Sequence, residues 1–213
     1  MLYHLSNDDL VKSEVIQEGA PVISFGKTSI SKIATMGLNP SDQEFYGKNG
    51  VELTGIHRRF HTLNSLGIKS WKNVTEIEIE KILVACEEYF FRNPYDRWFK
   101  SLNNIISGTG ASYYDAFNSA CHLDLVPYAT KTKWGNLSER QKKHLLEIGS
   151  NFLADIINDG AIQVIILNGK SVVKNLEEMI GFQLNKKEYT SWSLPRADGC
   201  VRGEAYKGTI EEL

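Results

Sequence analysis

Apolar residues recur along this chain with two different periods, and together they predict strands that alternate with helices. The stretches SKIATMG and AIQVIIL, and the beginning of ACHLDLVPYAT, are short apolar runs typical of buried strands. The stretch LSERQKKHLLEIGSNFLADIINDG instead places apolar residues at helical spacing behind Ser138, a favoured N-cap residue. Helices are also predicted from Glu78 onward, over DRWFKSLNNIISGTG and over GKSVVKNLEEMIG.

Two further elements are predicted near the start of the chain. Asn7-Asp8-Asp9 ahead of LVKSEVIQEG indicates a capped short helix that ends at Gly19, and VISF indicates a strand. Strands that alternate with helices indicate a parallel sheet covered on both sides, in which AIQVIIL is buried on both faces. The chain has 213 residues, enough for one substantial core, so residues 1–213 are expected to form a single domain of the α/β class.

Three of the predicted strands end in short polar turns. GLNPS follows the first strand, DLVPYAT follows the second and LNGKS follows the third. In parallel sheets ligands bind outside the carboxyl ends of the strands, and these ends lie at one edge. The three turns are therefore expected to meet in one candidate site, in which Asn39, Asp124 and Gly169 line a single cleft.

Composition and charge restrict the classes of function. The formal net charge is −2, which excludes a global basic field, so any nucleic-acid site must be a local patch. Cys86, Cys121 and Cys200 form no CxxC pair, which favours reduced thiols over a disulfide framework or a zinc site. No group of residues has metal-ligand spacing, so no metal and no cofactor are expected. No signal segment or membrane-spanning apolar run is found, so the expected location is cytoplasmic, or nucleoid-associated in a bacterium.

The turn GLNPS has two interpretations. As an ordinary helix start, Asn39 is the N-cap, Pro40 takes the first helical position and Gly37 allows the sharp turn. As a site, the Asn39 amide orients a water molecule, while Ser41 and the neighbouring backbone N–H groups hold an anion. Both interpretations use the same local geometry, so the turn by itself does not choose between them.

A resemblance to a known family favours the second interpretation. GLNPS after an apolar strand resembles the first motif of the uracil-DNA glycosylase superfamily, closest to the Gly-x-Asn-Pro-Gly form of its mismatch-specific and single-strand-selective branches. GVELTGIHRRFHTL is similar to the next stretch of the mismatch-specific branch, with Arg59-Phe60 as its Arg-Phe pair. HLDLVPYAT resembles the family's central strand and base-reading position, and VIILNGKSVV resembles its late strand and following helix. The order of these motifs agrees from about residue 31 to residue 176.

The resemblance implies a three-layer α/β/α sandwich around a central, mainly parallel four-stranded sheet. It also implies hydrolysis of the N-glycosidic bond of a damaged or modified base in DNA, either single-stranded or flipped out of a duplex. In that reaction the catalytic residue Asn39 would position the attacking water, and the backbone at Gly37 and Leu38 would contact the base. DNA is thus the expected partner.

The sequence departs from the family pattern at two base-contacting positions. Where the family stacks the base on an aromatic ring, the aligned residue is Leu53, with Phe45 and Tyr46 as nearby substitutes. At the base-reading position the family often has Asn, whereas this chain has Asp124. An ionised Asp only accepts hydrogen bonds, so it would favour a base with an exocyclic amine over uracil. The alternative is a protonated Asp124, which burial favours and which would donate to O4 of uracil as Asn does.

Several charged residues near the predicted site have structural alternatives. Asp124 could cap its turn or pair with Lys131 or Lys133, and His122 fits a satisfied core or rim histidine better than a ligand. Residues that could contact the DNA backbone either carry positive charge or stand at helix starts; they are Ser41, Arg59, Lys131, Gly169, Lys170 and Ser171.

The family's last motif, a His-Pro-Ser-type loop, is not found. No histidine follows His144, so either the final loop has diverged or the chain stops before it, at a truncated C-terminus. The missing histidine and the missing aromatic residue favour a second hypothesis, in which the same fold binds nucleic acid or a nucleotide without catalysis. The sequence therefore predicts a DNA glycosylase-like hydrolase, with a non-catalytic binding protein as the alternative.

Overall fold

The computed structural model describes residues 2, 5, 10, 12–196 and 199–209, and it shows a mixed α/β fold. The strands are β1 (Ile33–Gly37), β2 (Ala120–Asp124), β3 (Val164–Leu167), β4 (Asn185–Arg196) and β5 (Gly199–Lys207). The α-helices are α1 (Leu63–Leu66), α2 (Glu76–Glu87), α3 (Tyr89–Arg92), α4 (Asp96–Ile106), α5 (Glu139–Asp159) and α6 (Lys170–Ile180).

The parallel sheet has β1 at its centre. Both β2 and β3 pair with β1 in parallel, and the register sets Gly37 opposite Asp124 and Met36 opposite Leu167. The described residues contribute three strands to this sheet, in the order β2–β1–β3. Strands β4 and β5 form a separate antiparallel hairpin that follows α6. The α/β class and the parallel pairing are as the sequence predicts.

The long helices are confirmed, and local chemistry determines where they begin. Ser138 caps α5 as predicted, because its Oγ accepts from Gln141 N at 3.3 Å and the Gln141 side chain accepts from Ser138 N. A capping box at Thr75 starts α2 in the same way. Gly149 lets α5 pack closely against the backbone that follows β2, since a Cβ there would lie 2.5 Å from the Leu125 carbonyl oxygen. No helix in the described part of the chain has the length and apolar composition needed to cross a membrane.

The predicted strand VISF is not formed. Only Phe25 pairs, in an isolated antiparallel bridge to His122 with backbone hydrogen bonds of 2.8 and 2.9 Å. Gly26 follows with a φ of +94°, a left-handed conformation that turns the chain away. AIQVIIL does contain β3, but the prediction of burial on both faces is wrong. Val164 is 48% exposed, because β3 is an edge strand of the described sheet and is covered less completely.

The predicted N-terminal helix ends earlier than expected. Its predicted start, Asn7-Asp8-Asp9, lies outside the described residues. Residues 13 and 14 form a turn and Val15 then forms a bridge with Thr130, so the helix does not reach Gly19. This bridge ties the N-terminal segment to the loop that follows β2.

Two clusters of buried side chains hold these elements together. The aliphatic cluster joins Ala34 and Met36 of β1 to residues of α5 and α6 such as Leu145. The aromatic cluster contains the rings of Phe25, Phe45, Phe60, Tyr89, Phe90, Phe99 and Tyr113. Thr35, between the two aliphatic residues of β1, bonds through its hydroxyl to Tyr113. Successive residues of β1 therefore face different clusters, as the period of a strand requires.

Candidate functional site

The carboxyl ends of β1, β2 and β3 meet at one edge of the sheet, here called the rim. The rim consists of residues 37–41, 124–132 and 168–171, which directly follow or end the three strands. Backbone hydrogen bonds tie these segments together, for example from Leu125 N to Gly37 O at 3.1 Å. The turns GLNPS, DLVPYAT and LNGKS therefore lie at the same edge, as the sequence predicts.

Asn39 is held at the rim through its amide nitrogen. Nδ2 donates toward Thr130 Oγ1 at 3.0 Å, the Tyr128 carbonyl at 3.3 Å and the Pro40 carbonyl at 3.2 Å. Thr130 Oγ1 donates its own proton to Thr132 O at 2.7 Å, so toward Asn39 it acts as the acceptor. The amide oxygen Oδ1 accepts no hydrogen bond from the described residues. It is therefore left as an acceptor for a water molecule.

The N-cap at this turn is Ser41, and the prediction that Asn39 caps a helix is wrong. The backbone stays extended through Ser41 (φ −72°, ψ 150°), whose Oγ accepts from Gln43 N at 3.2 Å. The helix that follows is a 3-10 helix of only three residues, Asp42–Glu44. Ser41 Oγ also donates to Asp42 Oδ1 at 3.0 Å, so a carboxylate stands where a phosphate was predicted. The predicted anion-binding role of Ser41 gains no support from this geometry.

The backbone at Leu38 and Asn39 offers two free donors. In the described ranges no group accepts the N–H of either residue, although Val126 N donates to the Leu38 carbonyl at 3.0 Å. The Leu38 side chain is half-buried against the aliphatic cluster, which fixes this part of the turn. Adjacent unpaired N–H groups suit an acceptor atom of a ligand. The base-binding role of Gly37 and Leu38 stays a prediction, which this geometry favours.

Asp124 is buried at the end of β2, with its carboxylate against Gly37. Its side chain is 4% exposed, and Oδ1 lies 3.4 Å from His122 Nε2. A Cβ at Gly37 would lie 2.4 Å from Oδ1, so only glycine leaves room for this carboxylate. The alternative pairing is not found, because neither Lys131 nor Lys133 makes an ion pair with Asp124 within the described residues. Oδ2 receives no hydrogen bond from any described residue.

Among the residues predicted to stack on a base, Tyr46 is the best placed. Phe45 is 1% exposed and packs against Phe60 with ring centroids 6.0 Å apart, so the prediction that it binds a base is wrong. Leu53 is half-buried, and its N–H donates to the Phe45 carbonyl at 2.8 Å. Tyr46 pairs with Glu52 in the same short bridge, and its ring is partly exposed.

A groove of about 470 Å³ runs along the residues that follow the GLNPS turn. Its lining comprises Ile16, Asp42, Gln43, Tyr46, Gly47, Lys48, Gly50 and Lys131. Tyr46 and Lys131 are predicted site residues, and the structure places both on this groove. Lys48 is a second lysine on the groove that sequence reasoning missed, because no motif or spacing marks it.

The prediction that Arg59 contacts the DNA backbone gains no support from the structure, because two of its donors are used inside the protein. Nε donates to Asn93 O at 2.9 Å and Nη1 donates to Gln43 O at 2.5 Å. The guanidinium lies over the Tyr95 ring, 5.3 Å from its centroid. With a side chain that is 16% exposed, Arg59 braces the segment after GLNPS rather than facing solvent.

Gly169 and Lys170 begin α6 as the sequence predicts, but the lysine is already paired. Lys170 Nζ lies 2.6 Å from Glu204 Oε2, and Lys186 Nζ lies 2.8 Å from the other oxygen. Hydrogen bonds from Lys170 and Lys186 lower the pKa of Glu204 to about 2. Ser171 is exposed beside them. A DNA-backbone role for Lys170 therefore requires that it exchange Glu204 for a phosphate.

Sequence reasoning missed Glu44, a buried carboxyl group next to the turn. Its two oxygens accept from the Tyr89 hydroxyl at 3.0 and 2.8 Å, and Arg59 Nε lies 3.9 Å away. Burial raises the pKa of Glu44 to about 7; Arg59 and Tyr89 oppose this rise and nearby Asp124 adds to it. In the sequence, an acidic residue in a first helical turn indicates only a favourable dipole interaction, so nothing local signals the burial.

Metal chemistry has no support in the arrangement of side chains. Among the described residues no group of three or more His, Cys, Asp and Glu could hold a metal ion. Cys86 and Cys121 are buried, and Cys200 is exposed.

Comparison with known proteins adds no family assignment. No model of a known protein family matches the chain, and no curated protein matches it. The chemistry of the rim has to be inferred from its geometry and from the sequence motifs.

Proposed function

We propose that this chain is a DNA glycosylase-like hydrolase of the uracil-DNA glycosylase superfamily, which cleaves the N-glycosidic bond of a damaged or modified base. The observation that carries the proposal is the orientation of Asn39. Three acceptors surround its Nδ2 while Oδ1 stays free at the rim, so the amide is fixed as an acceptor for water. The GLNPS motif and the order of the later motifs support the same assignment.

In the proposed reaction, a single-stranded or flipped base enters beside the GLNPS turn. Asn39 Oδ1 accepts a hydrogen bond from a water molecule and directs the water oxygen toward the anomeric carbon. As the glycosidic bond breaks, positive charge develops on the sugar and negative charge on the base. The free N–H groups of Leu38 and Asn39 can donate to the departing base. An amide is a weak base, so excision is expected to be slow.

Asp124 is the proposed base-reading residue. Its side chain is 4% exposed and Oδ2 has no donor among the described residues, so a ligand that supplies an N–H would give this acceptor a partner. An exocyclic amine supplies that donor, whereas O4 of uracil is a second acceptor. The proposed substrate is therefore a base that carries an exocyclic amine, and uracil is expected to be a poorer one.

The proposal includes a finer architecture, a three-layer α/β/α sandwich around four strands. Two observations support it. Successive residues of β1 face the aliphatic and the aromatic cluster, which suits a sheet covered on two sides. Alternation of strands and helices calls for a fourth strand after α6, and β4 begins there, although within the described residues it pairs with β5.

A second candidate is a protein that binds nucleic acid on this fold without cleaving it. The groove beside the turn favours it, because Tyr46 offers a partly exposed ring on the same groove as Lys48 and Lys131. Aromatic and basic side chains in one groove are the combination that binds single strands. Binding of this kind needs neither the Asn39 amide nor the Asp124 carboxylate.

Oligonucleotides that carry uracil, hypoxanthine, xanthine or a modified cytosine distinguish the two candidates. Each oligonucleotide is incubated with the protein, and alkali then cleaves the strand at any abasic site. If the protein is a hydrolase, the wild type gives a cleaved strand and Asn39→Ala gives little or none. A binding protein shifts the oligonucleotide in a mobility assay without giving product. No cleaved strand from any of the four bases with the wild-type protein would overturn the hydrolase proposal.

A further inference from the structure

A row of buried polar side chains runs from Tyr113 to Asp124, with two hydrogen bonds followed by one close contact. The Tyr113 hydroxyl bonds to Thr35 Oγ1, which lies 2.7 Å from His122 Nδ1. His122 Nε2 in turn lies 3.4 Å from Asp124 Oδ1. The four side chains come from β1, β2 and the loop before β2, and all of them are buried. This row of side chains ends at Asp124, the residue proposed to read the base.

Burial determines the direction in which these hydrogen bonds point. Tyr113 is completely buried, so its hydroxyl proton needs an acceptor within the protein. Among the described residues its partner is Thr35 Oγ1, so Thr35 accepts in this pair. Thr35 then has its own proton to donate to His122 Nδ1, and with Nδ1 as the acceptor the ring proton lies on Nε2. That N–H is the one nearest Asp124 Oδ1.

The His122 ring is held in place by aromatic neighbours. It packs against Phe25, Trp98 and Phe99 with ring centroids 5.2, 5.0 and 5.4 Å apart. Its side chain is only 2% exposed, so solvent offers no alternative partner for either ring nitrogen. Rotation of the ring would break the bond to Thr35 and leave a buried donor or acceptor unpaired.

We propose that Tyr113, Thr35 and His122 are positioning residues that make Asp124 an acceptor-only group and thereby determine which base the site takes. The inference rests on the proposed function of the rim. With the Nε2–H of His122 facing Oδ1, Oδ2 is the oxygen that stays open to a donor on the base. The base selected is then one that presents an amine at its edge, as cytosine and adenine derivatives do, and a carbonyl at that position is disfavoured.

A first test reads the proton position directly and does not depend on catalysis. The ¹⁵N chemical shifts of the imidazole rings, assigned by comparison with His122→Gln, report which nitrogen of His122 carries the proton. We expect Nε2–H in the wild type, a mixture or Nδ1–H in Thr35→Val, and recovery of Nε2–H in Thr35→Ser. Nδ1–H in the wild type would overturn the proposal, because Asp124 would then face a bare ring nitrogen.

A second test measures base preference with matched probes. The probes are oligothymidines that contain either one cytosine or one uracil, which differ at the edge that Asp124 would read. Wild type should bind the cytosine probe more tightly by roughly 5- to 150-fold, the range of one base-edge contact. Tyr113→Phe and Thr35→Val should bring this ratio close to one, and Thr35→Ser should restore it. Tyr114→Phe is the control. The Tyr114 hydroxyl donates to Asp96 Oδ1 at 3.0 Å and forms no hydrogen bond with Thr35, His122 or Asp124.

The outcomes separate failure of this inference from failure of the proposed function. If wild type neither binds nor cleaves any oligonucleotide, the proposed function fails and base selection fails with it. If wild type prefers the cytosine probe and both Tyr113→Phe and Thr35→Val keep that preference, only the inference fails. If Thr35→Val does not fold, Tyr113→Phe still tests whether base preference depends on these residues, because it removes one hydroxyl and retains the ring.

Discussion

Gly37 and Asp124 stand opposite each other in the pairing of β1 with β2, and the absence of a side chain at Gly37 makes room for the carboxylate of Asp124. A Cβ at Gly37 would lie 2.4 Å from Asp124 Oδ1 and 3.1 Å from His122 Nε2. The glycine of the GLNPS turn is thus required by a neighbour on another strand. The water-orienting turn and the proposed base-reading residue form one packed unit.

Gly37→Ala should therefore displace the Asp124 carboxylate. We expect the free energy of unfolding to fall by about 1–3 kcal/mol, the usual cost of overpacking a dense site. Denaturant unfolding measures the change. Gly135→Ala is the matched control, because a Cβ at Gly135 would meet nothing within 4 Å. Equal stability of the two variants would contradict the close contact between Gly37 and Asp124.

Asn39→Ala should abolish most of the activity, whereas Ser41→Ala should affect only stability. Asn39→Ala removes the water-orienting amide, so most base excision should be lost. It also removes the hydrogen bonds that Nδ2 donates, so the free energy of unfolding should fall by about 1–2 kcal/mol. Ser41→Ala removes the N-cap, which costs about 0.5–2 kcal/mol, and should leave excision near the wild-type level. Alkaline cleavage of a base-modified oligonucleotide and denaturant unfolding give the two quantities. Excision that survives in folded Asn39→Ala would show that the amide does not orient the water.

Glu44 should make the protein less stable as the pH rises from about 4.5 to about 7. Its pKa is raised from 4.5 to about 7, so over this window the folded state holds a proton that the unfolded state has released. The free energy of unfolding therefore falls with rising pH, by about 3 kcal/mol at most for a shift of this size. His61 acts in the opposite direction between about pH 4 and 6.5, because burial lowers its pKa to about 4.

The comparison with Glu44→Gln separates these two effects. Glutamine does not titrate but keeps an oxygen that can accept from the Tyr89 hydroxyl. Because His61 contributes equally to both proteins, the difference between their stability curves from pH 4.5 to 7.5 reports Glu44 alone. Curves that stay parallel over this range would contradict a raised pKa for Glu44.

Glu204→Gln should strengthen the binding of a single-stranded oligonucleotide. The change removes the carboxylate that pairs with both Lys170 and Lys186, and it leaves Lys186 only its longer ion pair of 3.6 Å to Glu188. If both lysines then contact phosphates, the plot of log affinity against log salt should steepen by about 1.4, at about 0.7 for each contact. Fluorescence anisotropy over a salt series measures the slope.

Glu87→Gln is the control for this experiment. It removes the same charge and breaks an ion pair to Lys27, which precedes β1 and so lies toward the edge opposite the rim. We expect little change in the salt dependence of this variant. The same slope in Glu204→Gln and Glu87→Gln would show that Lys170 and Lys186 do not reach the nucleic acid.

By itself, the sequence determined the strands of the parallel sheet, the long helices and the edge at which the turns meet. These features depend on short-range patterns. The apolar period sets the type of each element, capping residues such as Ser138 set where a helix begins, and parallel pairing brings the carboxyl ends of the strands together. The same patterns placed Asn39 and Asp124 at the rim, because each comes at or just after the end of a buried strand.

Only the tertiary structure decided what those side chains do. Asn39 is oriented by Thr130, 91 residues away, and the bond that directs the His122 ring comes from Thr35, 87 residues away. Phe45, predicted to stack on a base, is a core ring, and Arg59, predicted to contact DNA, is a brace inside the protein. A local pattern of apolar and polar residues does not record which distant group will satisfy a buried donor or acceptor. The partners are determined when the chain packs. A buried polar group without a hydrogen bond destabilises the fold, and a bond to a distant group removes that cost.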